Sequence, residues 1–447
     1  MRRVLCAILL GASALAATPA AAAPVHTDPV LFWNDQLLNA IRVGRTAPPV
    51  ASRTMAMMHT AVFDAVNAAN AGPYRSFSLG QQAASGPADA QVAAAIAAHR
   101  VLVEAFPSRV AEFDQLLRGQ IANMPNTAAT VRGTELGLAA ANAVLARRAN
   151  DNAFAAQAPY VPGGGIGDYV PNPSNPADPI LRNWPSVTPW TLDRGDQFRP
   201  DAPPSVGSAE YAAAYNEVKA LGGVNSLIRT ADQTQIAEFW ADGAGTATPP
   251  GHWLRIASNI AFEKGQSTPD NARMFALLAV SVADAAIVSW DAKNFYDYWR
   301  PVTGIRVGNS DSNPLTVGDD FWTPLIATPP HQSYTSGHST FSAAAARALG
   351  LFFGSDAMAF CSNQDMVPGV QRCFTSFSQA AAEAGMSRIY GGIHWQFDNQ
   401  AGLASGAKVA EQAFARNFQA VPEPASLALF GAGLLALGAA GRRTRRA

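Results

Sequence analysis

Apolar residues recur at helical spacing through nearly all of the chain before residue 420, and convincing alternating strands are absent. The segments "TMAMMHTAVFDAVNAAN", "ADAQVAAAIAAHRVLVEAF", "RVAEFDQLLRGQIANM" and "TAATVRGTELGLAAANAVLARRAN" each place apolar side chains on one helical face. Asp89 and Thr127 stand where N-caps belong, the latter just before the fourth segment. From Ala155 to about Val206 the periodicity collapses into a Pro/Gly/Asn-rich loop with interspersed aromatics, the kind of long loop that is functional or a linker. Helical patterns resume at "SAEYAAAYNEVKAL" and run through "DNARMFALLAVSVADAAIVSWDAKNFYDYW". The reading is an all-α fold, a large multi-helix bundle assembly. His59 and His99 fall inside apolar faces and are read as core residues with satisfied hydrogen bonds.

Both ends stand apart from this pattern. Residues 1–23 have a basic start, an apolar middle and small residues around Ala21-Ala22-Ala23, which reads as a secretory signal peptide. Residues 421–447 carry Pro-Glu-Pro, an apolar run and four arginines in the last six positions. This end resembles the PEP-CTERM sorting signal of Gram-negative bacteria. The resemblance implies membrane contact through this segment alone, processing by an exosortase, and a destination in the periplasm, the cell envelope or the medium. Between the ends, residues 24–206 form an N-terminal helical region with the long loop, and residues 207–420 a C-terminal helical region.

Net charge is -1 and charged residues make up 15% of the chain, so nothing points to nucleic acid or to a polybasic surface. Of three cysteines, Cys6 leaves with the signal peptide. Cys361 and Cys373 remain, and in an exported protein they are expected to pair. There is no CxxC, no HExxH and no Cys/His cluster with zinc spacing. No internal stretch is expected to span a bilayer, because charges interrupt even "MFALLAVSVADAAIVSW".

Three segments after residue 290 concentrate the chemistry. In "SWDAKNFYDYWRP", Lys293 and Arg300 are two helical turns apart, and Pro301 disfavours helix at Arg300, which should be free to swing towards a ligand. In "TPPHQSYTSGHSTFSAAAARALG", Ser336-Gly337-His338 opens an alanine-rich helix. A helix start presents unpaired N–H groups and partial positive charge, so it suits an anion. Ser336 would cap it and Gly337 would let the anion approach the backbone. In "SRIYGGIHWQFDNQAG", Gly391-Gly392 breaks a helix after Arg388, and Asp398 follows His394 by four residues, placed to hold its imidazole N–H. One lysine, two arginines, a hydroxyl, a backbone nest and two histidines together suit a multiply charged tetrahedral oxyanion.

The combination K-x6-R-P, S-G-H and S-R-x5-H-x3-D resembles the signature of vanadium-dependent haloperoxidases and the type-2 phosphatidic acid phosphatase superfamily. Every polar position is filled, while Thr335 stands where a proline is usual. The resemblance implies a helical bundle of the vanadium haloperoxidase/acid phosphatase type and vanadate as cofactor, with phosphate able to occupy the same site. Lys293, Arg300, Ser336, Arg388 and the Gly337 N–H would bind its oxygens. His394 would be the metal ligand, oriented by Asp398, and His338 the acid–base residue, expected to titrate near its ordinary pKa. Asp242 resembles a carboxylate that pairs with an active-site arginine, while Trp290 and His331 would line the halide's approach, the latter also within reach of His338.

The implied reaction is oxidation of halide by hydrogen peroxide to hypohalous acid, through Lewis-acid activation by vanadate with Lys293 assisting by hydrogen bonding. His331 resembles bromoperoxidases and Trp290 chloroperoxidases, so bromide is the favoured halide. The alternative is a secreted acid phosphatase cleaving phosphate esters through a phosphohistidine at His394. A third reading is a non-catalytic envelope protein of the same fold.

Overall fold

The computed structural model describes residues 26–420, apart from 73, 81–84, 123 and 173–175. The signal peptide and the sorting segment, read at residues 1–23 and 421–447, lie outside the described residues. Thirteen α-helices, three short 3₁₀ turns and one two-stranded hairpin account for the regular structure among the described residues. The first five helices are α1 (Pro29–Gly44), α2 (Pro48–Ala69), α3 (Ala90–Ala105), α4 (Val110–Ile121) and α5 (Ala128–Arg148). Asp28, Asp89 and Thr127 accept backbone N–H bonds at the starts of α1, α3 and α5, two of them the caps expected from sequence.

After the long loop come α6 (Ala209–Gly222), α7 (Ala231–Phe239), α8 (Thr248–Glu263), α9 (Thr268–Tyr296) and α10 (Pro301–Arg306). The last part holds α11 (Gly337–Phe353), strands β1 (Phe360–Asn363) and β2 (Gln371–Phe374), α12 (Phe377–Tyr390) and α13 (Gln396–Asn417). The hairpin is antiparallel, with Cys361 opposite Cys373, and the two are disulfide-bonded as expected. This short sheet is the one departure from an all-helical reading: four-residue strands are too brief to show a clear alternation.

One expectation is corrected at α9. By length and composition this helix is apolar enough to cross a membrane, contrary to the sequence reading, but almost all of it is buried inside the protein. The core tolerates the mid-helix carboxylate of Asp284 because its oxygens are hydrogen-bonded. Asp284 accepts from the backbone N–H groups of Trp190 and Thr191 and from the Thr191 hydroxyl at 2.6–2.8 Å. The long loop therefore wraps α9. It adds an Arg199–Asp291 pair at 2.6 Å and a bond from Tyr160 to Asp297 at 2.7 Å. It also delivers Ile180, whose N–H donates to Pro330 O and whose carbonyl accepts from Trp290 Nε1.

Two buried clusters hold the three segments that carry the candidate site residues. The large one draws on helices from both halves of the chain and includes Trp290 and Phe341. The smaller, aromatic one holds Tyr211, Tyr298, Trp299, Tyr334, Trp395 and Phe397. Helices α11 and α13 approach closely because α13 offers glycines on the contacting face. A Cβ at Gly402 would stand 2.9 Å from Ser336 O, and one at Gly406 would overlap Thr340 O. That contact brings the start of α11 against the start of α13. His59 is a buried core residue, bonded to Asn34 and stacked on Phe275, while half-buried His99 pairs with Asp114.

Candidate active site

The His394 side chain is fixed from both nitrogens. Nδ1 lies 2.8 Å from Asp398 Oδ2, and Nε2 lies 2.9 Å from Arg300 Nη1. Because Arg300 can only donate, Nε2 carries the lone pair and Nδ1 the proton given to Asp398. His394 precedes α13 instead of lying within it, so the contact comes from a carboxylate in the first turn reaching back, which also accepts from Trp395 N at 3.1 Å. Ser333 adds a hydroxyl bond to the same oxygen. Burial pushes the Asp398 carboxyl up to about 6. Burial, followed by the charges of Arg300, Lys293 and Arg388, holds His394 well below the ordinary histidine value. Near neutrality the pair is therefore a neutral imidazole beside a carboxylate.

The start of α11 has the expected form. Ser336 is the N-cap and accepts from Ser339 N at 3.3 Å. The first two amides of the helix, on Gly337 and His338, have no acceptor among the described residues. A Cβ at Gly337 would meet Trp290 only at an ordinary 3.5 Å, so packing does not demand glycine there, and its open side faces a cavity. Thr335, in the position of the usual proline, ties the segment down through hydroxyl contacts with Ser289 and Thr340 at 3.2 and 3.3 Å.

That cavity has a volume of about 290 Å³. Trp290, His331, Gly337, His338, Arg388, His394 and Asp242 all line it. Arg388 donates from Nη1 to Trp240 O at 2.6 Å, yet its buried Nε has no acceptor, and burial brings its pKa down to about 9. An unused buried guanidinium donor beside two free helix-start amides is costly in the protein alone and is what an oxyanion would satisfy.

Several expectations are corrected. Lys293 and Arg300 do not share a helical face, because α9 ends at Tyr296 and Asp297 turns left-handed. Arg300 is the N-cap residue of α10 and is not free to swing: it donates to His331 O and Ile393 O at 2.7 Å and to His331 Nδ1 at 2.9 Å. Neither cation lines the cavity, and the three Lys293 donors are taken by the carbonyls of Gln332, Ser333 and Thr335 at 2.5–3.0 Å. Lys293 thus shapes the loop that carries the anion site.

His338, its Nε2 facing Ala241 O at 3.3 Å, is not an unperturbed histidine; burial and the Arg388 charge hold it well below its ordinary value. His331 makes no bond to His338. Its Nδ1 accepts from Arg300, its ring lies 5.1 Å from that of Trp290, and burial lowers its pKa well below the ordinary one. Asp242 forms no ion pair with Arg388 and instead binds His252 Nδ1 at 3.0 Å, while His252 Nε2 lies 2.9 Å from Ser362 Oγ. His252 and Ser333 were not foreseen. Neither stands at a spacing that relates it to its partner, so no local pattern could have flagged them.

A carboxylate-braced histidine, a buried arginine with an unused donor and free amides at a helix start together form an arrangement that an oxyanion would fit. The family model described as the VCPO second helical-bundle domain matches residues 273–422, and the PEP-CTERM protein-sorting motif matches residues 420–446. Vanadium chloroperoxidase from Curvularia inaequalis is 26% identical over 491 residues, covering 83% of this chain and 79% of that protein. The solved structure of the first bacterial vanadium-dependent iodoperoxidase is 27% identical and superposes with a TM-score of 0.77, covering 90% of this chain and 100% of that one. A bacterial vanadium-dependent chloroperoxidase, at 15% identity and a TM-score of 0.64 over 82% of this chain and 92% of its own, shares the fold. Residues 273–422 thus match the second helical-bundle domain of a vanadium chloroperoxidase model, and the chain is similar to vanadium haloperoxidases over most of its length. The PEP-CTERM signal implies exosortase processing and export to a Gram-negative cell envelope.

Proposed function

We propose that this protein is a vanadate-dependent haloperoxidase that oxidises iodide and bromide, with chloride last. The observation that carries the reading is the His394 geometry: Asp398 holds the Nδ1 proton, so Nε2 carries the lone pair, which Arg300 Nη1 now binds, in a cavity also lined by Arg388 with its unused donor. The residues fit an oxyanion. His394 would hold vanadium through Nε2, while Arg388, Arg300, Ser336 and the Gly337 N–H would hold the oxygens. Bound there, vanadate would supply Lewis-acid activation of hydrogen peroxide.

The protein's own part is electrostatic and steric. Asp398 and Ser333 keep the His394 ring in one tautomer and one orientation. Arg300 is preorganised by carbonyls of two segments, so its charge is in place before any ligand arrives. His338, at the cavity floor and neutral near working pH, would accept a proton from peroxide and return it as halide is oxidised. Asp242 would temper the Arg388 charge from the cavity wall without pairing with it. Lys293 would position residues 332–335 while its donors stay engaged; with that assistance withheld, the more easily oxidised halides are favoured. Trp290 and His331 would form the wall past which halide approaches.

The same oxyanion cradle suits phosphoryl transfer to His394, which makes a direct comparison decisive. The mature protein loaded with vanadate should oxidise iodide and bromide with hydrogen peroxide. The vanadate-free protein should hydrolyse phosphate esters slowly or not at all. Efficient ester hydrolysis without halide oxidation would replace this reading with the phosphatase one.

A further inference from the structure

Of the arginines on or just after α1 and α8, Arg42, Arg45 and Arg255, only Arg45 lacks an acid among the described residues. Arg42 and Arg255 both bind Asp365, at 2.8 and 2.5 Å. Arg45, immediately after α1 with a left-handed φ of 48°, lines the cavity, is exposed, and has no side-chain hydrogen bond or ion pair among the described residues. Its guanidinium packs over Gly245, where a Cβ would stand 3.2 Å from Nη1. Glycine there is also required by a φ of 95°. The guanidinium is therefore seated against backbone, with no acid paired to it among the described residues.

The cavity it borders is larger than the proposed chemistry needs. At roughly 30 Å³ per water, 290 Å³ holds about ten waters, whereas a vanadate, a halide ion and a peroxide molecule together replace roughly half of them. Its walls include Ile180, Pro249, Trp290 and Phe341, which offer apolar and aromatic faces. A dry cavity of about 150 Å³ already accommodates benzene. The Trp290 wall is held in place by its bond to Ile180 O. A chamber with apolar walls and one exposed acid-free cation, Arg45, besides the buried Arg388 assigned to the oxyanion, matches a planar, singly negative organic molecule.

We propose that this chamber binds the organic acceptor itself: an electron-rich aromatic carboxylate, its carboxylate paired with Arg45 and its ring between Trp290, Phe341 and Ile180, above His338. The inference rests on the haloperoxidase reading for its chemistry. Halide loses two electrons to hydrogen peroxide, whose O–O bond breaks; with one proton this gives hypohalous acid and water. The ring then forms a carbon–halogen bond, and the displaced ring proton leaves with hydroxide as a second water. Binding the acceptor in the chamber confines the hypohalous acid to one ring position.

The test is calorimetric titration with 4-hydroxybenzoate and its neutral isostere 4-hydroxybenzamide, with saturating orthophosphate filling the oxyanion site. The wild-type protein should bind the acid more tightly than the amide. Arg45→Gln should weaken the acid by about three- to tenfold, the scale of one partly exposed charged pair, and leave the amide unchanged. Arg45→Lys should recover part of the loss. With vanadate bound, the ratio of kcat/KM for brominating the two compounds should shift by the same factor. Equal affinities unaltered by Arg45→Gln, or displacement of the acid by phosphate, would overturn the proposal. Acid binding as expected without halide oxidation would support the chamber and overturn the functional reading alone.

Discussion

Arg300 donates from Nη1 to His394 Nε2 across 2.9 Å, so the nitrogen available for a ligand is already held by a cation. An oxyanion held through Nε2 would replace Arg300 as the partner of that lone pair, and Arg300, braced by the His331 and Ile393 carbonyls, would donate to one of its oxygens. His394→Ala should therefore abolish retention of vanadate through dialysis. Retention at the wild-type level would remove His394 from the proposed ligand role.

Arg388 makes an opposite pair of predictions for the free and anion-bound protein. Its orphan buried donor costs about 1–3 kcal/mol, so Arg388→Met should melt higher than wild type in anion-free buffer. Orthophosphate at a hundred times its Kd should stabilise wild type by about 2.7 kcal/mol and leave the variant unmoved. Thermal melts with and without phosphate read both effects, and an equal phosphate response in the two proteins would contradict the assignment.

His331→Ala should keep vanadate and change the relative rates with iodide, bromide and chloride. The residue lies in the cavity wall against Trp290, but it also accepts a bond from Arg300. Steady-state rates with all three halides test this. An unchanged halide order would leave His331 with a bracing role only.

His59 predicts acid sensitivity away from the site. Burial takes its pKa down to about 3 in the folded protein, against an ordinary 6.5. Above 6.5 the ring is neutral in both states and no stability is lost. As pH falls from 6.5 towards 3, the unfolded chain binds a proton that the folded protein refuses, and stability drops by roughly 5 kcal/mol in total. His59→Gln should flatten that slope, as measured by urea unfolding at several pH values. An identical slope in the variant would assign the acid sensitivity to other groups.

The Cys361–Cys373 bond closes a loop with a sequence separation of 12. Its reduction should cost about 2–3 kcal/mol by freeing the unfolded chain. Ser362, between the paired strands, contacts His252, which in turn holds Asp242. Cys361→Ala/Cys373→Ala should therefore lower the melting temperature. Thiol titration of the denatured, unreduced mature protein should find no free cysteine.

Features that depend on neighbours a few residues apart were legible in the sequence by itself. Helical periodicity, the Asp89 and Thr127 caps, the Ser336 cap, the His394–Asp398 contact and the disulfide pair all arise from local spacing or compartment chemistry. The three-part motif likewise identified the site's cast of residues. Only the tertiary structure decided which of those residues reach the cavity and with whom each polar group pairs. Lys293 spends its donors on carbonyls some forty residues away, Asp242 meets His252 instead of Arg388, and Arg45 enters from the far N-terminal helix. The reason is physical: a helix sets the direction of its own side chains, but a buried charge takes whichever partner packing brings within reach. That partner belongs to a distant segment, and no spacing within the chain encodes it.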